Sequence, residues 1–97
     1  MVVWSPLAVE RVSEIAEYIA LDKPSAAEKW VEKVFDSVGC LEDFPSSGRV
    51  VAEIKLENYR EIILGNYRII YRIEQNQISI LTVRSGWEML PVDEVIA

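Results

Sequence analysis

The side chains with the most chemistry to offer stand late in the chain: Arg60, Glu61, Arg68, Arg72 and Arg84. A guanidinium stays charged near neutral pH and donates paired hydrogen bonds to flat anions, so Arg68 and Arg72 could hold a phosphate or a partner's carboxylate. The same residues have a plainer use, a diagonal salt-bridge net with Glu61. Acid–base and nucleophilic catalysis are much harder to supply. The chain contains no histidine, which removes the imidazole base, the Ser-His-Asp triad and any Cys–His pair. Cys40 stands alone, so no internal disulfide can form, and it is expected to be a buried small hydrophobe. No metal-ligand set and no Gly-rich phosphate loop is present, and no cofactor is expected.

These arginines must be positioned by the stretch from Tyr59 to Gly86, which alternates in the manner of strands rich in Ile, Val and Tyr. Gly65-Asn66 and Gln75-Asn76 interrupt it as two-residue turns, the Gly-bearing one carrying the stronger hairpin signal. Two-residue loops set the register: Leu64 opposite Tyr67, Ile62 opposite Ile69, Arg60 opposite Tyr71, then Ile73 opposite Ile78, Tyr71 opposite Ile80 and Ile69 opposite Thr82. Ile62, Leu64, Tyr67, Ile69, Tyr71, Ile73, Ile78 and Ile80 then share one core face. Glu61, Ile63, Arg68, Ile70, Arg72, Leu81 and Val83 share the other. Glu61 lies diagonal to both Arg68 and Arg72 there. So many aliphatics are not left bare in water, and either this chain or a partner covers them.

The 97 residues make one domain, with residues 87–97 as a C-terminal tail. Its 51% hydrophobic content argues for a folded protein, and its net charge of −6 disfavours general attraction to nucleic acid. No apolar run is long enough for a membrane span, and no signal-peptide pattern opens the chain, so a cytoplasmic location without membrane contact is expected.

Val2-Val3-Trp4 reads as an edge strand, and Ser5-Pro6 as a capped helix start. Ala8, Val12, Ile15, Ala16 and Ile19 carry the helical period to about Leu21, where Asp22-Lys23-Pro24 ends it. A second helix follows, with Ser25 and Glu28 at capping-box spacing and an apolar stripe of Ala27, Val31, Val34, Val38 and Leu41, widened by Trp30 and Phe35. Gly39 is expected to mark the close approach of another element. Phe44 to Gly48 reads as a loop and Arg49 to Ile54 as a first central strand. The fold class is therefore α+β, a helical hairpin packed on one face of a twisted antiparallel sheet in the order β-α-α-β-β-β-β.

Several of these stretches together are familiar. Ile19 to Ala27 in the hairpin, Phe44-Pro45 with Gly48-Arg49, Tyr59-Arg60-Glu61-Ile62, Tyr67 to Tyr71 and Ile80 to Val83 resemble the ParE/RelE toxin superfamily of type II toxin–antitoxin modules. The resemblance spans about Trp4 to Gly86. It implies a cognate antitoxin whose C-terminal segment folds onto the toxin, covering the outer aliphatics Ile63, Ile70, Leu81 and Val83, and which alone binds operator DNA.

The target divides the superfamily. ParE-like members poison DNA gyrase, whereas RelE-like members cut mRNA on the ribosome with a cluster of Lys, Arg and Tyr side chains. In the nuclease case Arg68 matches the central arginine, and Arg60 and Arg84 are its companions. Trp87 stands where many members carry arginine, no tyrosine follows Tyr71, and the histidines of a second nuclease group are absent. These departures place the chain closer to the ParE-like members, with mRNA cleavage or a weakened toxin that only binds its antitoxin as alternatives.

Each singled-out residue also has a structural use. Arg49 is expected to bond loop carbonyls, Arg84 to end a strand in solvent or touch a target, and Trp87 to cap the core or face a partner. Glu61, Arg68, Arg72, Arg84 and Trp87 join the outer aliphatics as candidate antitoxin or target contacts. The tail from Glu88 is expected to be functional, docked on the body or awaiting a partner.

Overall fold

The computed structural model describes residues 1–96, the side chain of Glu94 excepted, so that Ala97 at the end of the tail lies outside the described residues. Strand β1 (Val2–Trp4) is followed by helices α1 (Pro6–Asp22) and α2 (Pro24–Gly39) and short 3₁₀ turns at Cys40–Glu42 and Pro45–Ser47. Strands β2 (Arg49–Val50), β3 (Tyr59–Leu64), β4 (Tyr67–Glu74) and β5 (Gln77–Ser85) come next, then a short helix α3 (Val92–Ile96). The five-stranded sheet has the order β1-β5-β4-β3-β2. Strands β2 to β5 are antiparallel, as expected, but β1 runs parallel to β5, so the sheet is mixed. The helical hairpin carries the chain from β1 at one edge of the sheet to β2 at the other.

Helix α1 begins as its sequence requires. Ser5 Oγ accepts the Ala8 N–H at 3.0 Å, Pro6 fills the first turn, and the same hydroxyl donates to Leu81 O at 2.8 Å. The cap therefore also fastens the helix to β5. The capping box at Ser25 and Glu28 does not form. Pro24 occupies the first turn, so Lys23 becomes the N-terminal cap and offers no side-chain bond. Lys23 is extended, as a residue before proline prefers, and its N–H also closes α1 on Ile19 O at 3.1 Å.

Both hairpin turns have two residues, with positive φ at Gly65 and at Asn76. The β3–β4 register is the expected one throughout. On β4–β5 it holds from Ile73–Ile78 to Tyr71–Ile80 and then shifts at a bulge that makes Leu81 the extra residue. Ile69 consequently faces Val83 rather than Thr82, and Val83 turns from the outer face into the helix-side core with Ala8, Val12 and Ile69. A bulge inverts every facing beyond it.

Other expectations also need correcting. Arg49–Ile54 is not a central strand: β2 is two residues long and lies at the sheet edge. The chain turns at Val51, whose carbonyl accepts the N–H groups of Ile54 and Lys55, and so buries Val51 beneath the outer face. Cys40 is exposed because the apolar stripe of α2 passes to fully buried Leu41 instead. Gly39 has no neighbour within 4 Å of where a Cβ would stand, so it marks no close approach. Trp87 is 74% exposed and caps nothing.

Two cores result. The larger lies between the helices and the inner sheet face and contains Val34, Val38, Leu41, Ile69, Tyr71 and Ile80. The smaller lies on the outer face, where Val51, Tyr59 and Ile70 are sealed by Leu90 and Val95 of the C-terminal segment. Ile70 and Leu81 on the outer face are thus covered by this chain itself, whereas Ile63 is left exposed.

Candidate functional site

Strand alternation sends Glu61 of β3 and Arg68 of β4 to the outer face as diagonal neighbours, and the turn after Val51 brings Glu53 up beside them. Arg68 Nε donates to Glu61 Oε1 at 2.6 Å. Its two terminal nitrogens donate to Glu53 Oε2 and Oε1, each at 2.8 Å, a bidentate pair. Glu61 Oε2 accepts from Arg49 Nε at 2.7 Å, and Glu53 Oε2 also accepts the Leu90 N–H at 3.1 Å. The side chains of Arg68 and Glu61 are 6% and 1% exposed. With Arg49, Arg68, Glu53 and Glu61 as members, the cluster is neutral.

Burial of this kind is tolerable only because every charge has an opposite partner at hydrogen-bond distance. The Arg68 guanidinium holds the Glu53 carboxyl down at about 2, overcoming the opposing effect of burial, and the Leu90 N–H adds to it. Arg68 is in turn pushed further above its ordinary value, by Glu53 first and then Glu61. A depressed native value means that the unfolded chain binds more protons in acid. The stability Glu53 supplies is therefore fully present above its ordinary value of 4.5 and drains as pH falls towards about 2. A urea-unfolding series from about pH 5 to about pH 2.5 should show this loss, and Glu53→Gln should flatten it.

The other candidates do not converge on Arg68. Register puts Arg60 opposite Tyr71, on the face away from Glu61 and Arg68. Its Nε donates to Glu57 O at 2.8 Å and one terminal nitrogen to Gly48 O at 3.1 Å, so Arg60, not Arg49, ties down the loop carbonyls. Arg49 is taken by Glu61. Tyr71 completes the same loop: its hydroxyl donates to Pro45 O at 2.6 Å and accepts the Gly48 N–H at 3.0 Å, while burial pushes the phenol up. Arg72 does not pair with Glu61, whose two oxygens are occupied. It pairs with Glu74 at 2.6 Å and lies 5.9 Å from the centre of the Tyr59 ring. Arg84 stands opposite Arg68 in register, and its guanidinium donates to Glu88 at 3.0 Å.

Of the expected apolar contacts, Ile70 is fully buried, Leu81 packs against the outer core and Val83 has moved to the inner one. Ile63 and Trp87 remain exposed. Glu53, Leu90 and Val95 were not singled out from the sequence. No sequence signal marked Glu53, because only the turn after Val51 brings it beside Arg68, fifteen residues further on.

The family model described as the ParE toxin of type II toxin–antitoxin systems, parDE, matches residues 2–89. The chain belongs to the ParE toxin family. A Sinorhizobium fredii protein named as a toxin, Y4kP, is 34% identical to it over 90 residues, covering 91% of this chain and 90% of the relative. A chain from the chromosomal ParDE toxin–antitoxin system of P. aeruginosa superposes with a TM-score of 0.70 at 21% identity, covering 87% of this chain and 92% of that one. At that identity the likeness establishes the shared α+β fold. This ParE-family toxin thus carries its central arginine locked among carboxylates. Leu90 and Val95, which seal the outer core, lie beyond the matched residues. Among the described residues no helix is long and apolar enough to cross a membrane.

Proposed function

We propose that this toxin acts by binding, not by cutting: it inhibits DNA gyrase in the cytoplasm and is neutralised by a cognate antitoxin. The observation that carries this is the burial and engagement of Arg68, whose side chain is 6% exposed. Its Nε and both terminal nitrogens are committed to Glu61 and Glu53 at 2.6 to 2.8 Å. To stabilise a phosphorane, an arginine must aim free donors at the place where charge develops. Freeing Arg68 would leave Glu53 without its bidentate partner and Glu61 with only the exposed Arg49, on an enclosed face. Arg60 lies on the opposite face, and no histidine or later tyrosine can move a proton. A gyrase poison needs none of these groups. The antitoxin partner is supported by the toxin–antitoxin system to which the P. aeruginosa structure belongs. Exposed Ile63 and Trp87 are the contacts it offers, and operator DNA is reached only through the antitoxin.

The test is induced expression of the lone protein in a bacterial host, with primer extension on mRNA and plasmid topology read from the same cells. Growth arrest with intact mRNA and linearised or topologically altered plasmid is expected. Cuts in mRNA phased to codons would overturn the proposal, and absence of arrest would mark a toxin that only binds its antitoxin.

A further inference from the structure

We propose that the C-terminal segment from Trp87 to Ile96 is a releasable strap: it fills an apolar seat on the outer sheet face in cis, and its release opens that seat and loosens Arg68 together. The proposal does not depend on the identity of the toxin's target. The seat is made by Val51, Tyr59 and Ile70, with Ile54 and Leu81 at its margin, and the strap fills it with Leu90 and Val95. Little else fastens the strap. It pairs with no strand among the described residues, and α3 spans five residues, too short to persist as an isolated helix. Its remaining ties include the Leu90 N–H on Glu53, the Glu88 N–H on Ser85 O at 3.3 Å, and the pair between Arg84 and the half-exposed Glu88. Segments with few buried apolar contacts and solvent-facing hydrogen bonds are the ones that open locally.

Glu53 couples the strap to the charged cluster. Its Oε2 accepts both from Arg68 at 2.8 Å and from the Leu90 N–H at 3.1 Å. Lifting the strap removes one donor from that oxygen and lets water reach the carboxylate, where an ion pair with Arg68 is weaker. The strap also has an apolar outer side, since Trp87 is 74% and Met89 81% exposed while Leu90 and Val95 point inward. A competitor for the seat would copy the inner side: two aliphatic side chains spaced as Leu90 and Val95 are, with a main-chain N–H for Glu53.

The probe is a fluorescent peptide with the sequence of residues 87–97, added to the full chain and to its Leu90→Asp variant. In the wild-type chain the tethered strap competes at an effective concentration on the order of millimolar, so the peptide should bind the variant roughly 10-fold or more tightly than the wild type. The same peptide with Asp in place of its own leucine should not bind. Hydrogen exchange on the wild-type chain gives a second measurement: the Leu90 amide should exchange by local opening, at lower denaturant than the amides of Ile69 and Ile80. A folded variant that ignores the peptide would overturn the proposal. So would a variant that cannot fold, or a Leu90 amide that exchanges only on global unfolding, because the segment would then be a fixed part of the core.

Discussion

Arg68→Ala is expected to destabilise the fold by about 3–5 kcal/mol, the range found when one partner is removed from a buried ion pair. The loss does not come mainly from missing attraction. It comes from Glu61, whose side chain is 1% exposed, and from Glu53, which loses a bidentate partner. Arg49 can still neutralise Glu61 from one side, but it is largely exposed and its pull is screened. Urea unfolding would read the effect as a lower midpoint at nearly unchanged slope. Arg68→Lys should recover only part of it, because an ammonium cannot reproduce three directed donors. Replacing Arg68 and Glu61 together by Met and Leu should recover more, since matched apolar groups often substitute for a buried pair without loss. Loss of toxicity in Arg68→Ala must therefore be compared with the folded fraction before it is read as lost chemistry.

Gly48→Ala should be nearly as severe, at about 2–4 kcal/mol, combining an overpacked site with a broken buried hydrogen bond. Gly48 needs no unusual backbone angle, since its φ is −76°. It needs room: a Cβ there would stand 2.6 Å from Glu61 O and 2.6 Å from the Tyr71 hydroxyl oxygen. The first is main chain of β3 and the second belongs to a fully buried ring, so neither yields cheaply. Moving the ring would also break the Tyr71 bonds to Pro45 and Gly48 that hold the loop. Gly39→Ala is the contrasting case. It has open space and helical angles, and should stabilise by about 0.5–1 kcal/mol. Thermal unfolding of the two variants side by side would separate a glycine required for space from one that only weakens a helix end.

Much of the architecture was legible because it is encoded locally. The period of α1, the Ser5-Pro6 start and the two-residue turns sufficed for the hairpins and for most of the inner sheet face. What escaped was decided at long range. No glycine or other local signal marks Leu81 as a bulge, yet that one residue moves Val83 from one face to the other. Alternation placed Glu61 beside Arg68 correctly, but the second carboxylate comes from Glu53, which only the turn after Val51 brings close. Alternation also offered Arg72 as a partner for Glu61, and the structure gives that place to Arg49 because β2 lies along the β3 edge. The apolar tail could have docked or stayed free by composition alone. Its docking depends on the fit of Leu90 and Val95 over Ile70, which no period reveals.

The most direct test of a binding toxin with a locked arginine is a supercoiling assay with purified DNA gyrase, ATP and relaxed plasmid, titrated with the purified protein. Gyrase poisoning predicts loss of supercoiling and accumulation of linear DNA as the protein is added, with ribosome-bound mRNA left intact in a parallel reaction. Unimpaired supercoiling together with codon-phased cuts in that mRNA would contradict it, and would mean that Arg68 leaves its carboxylates to do chemistry.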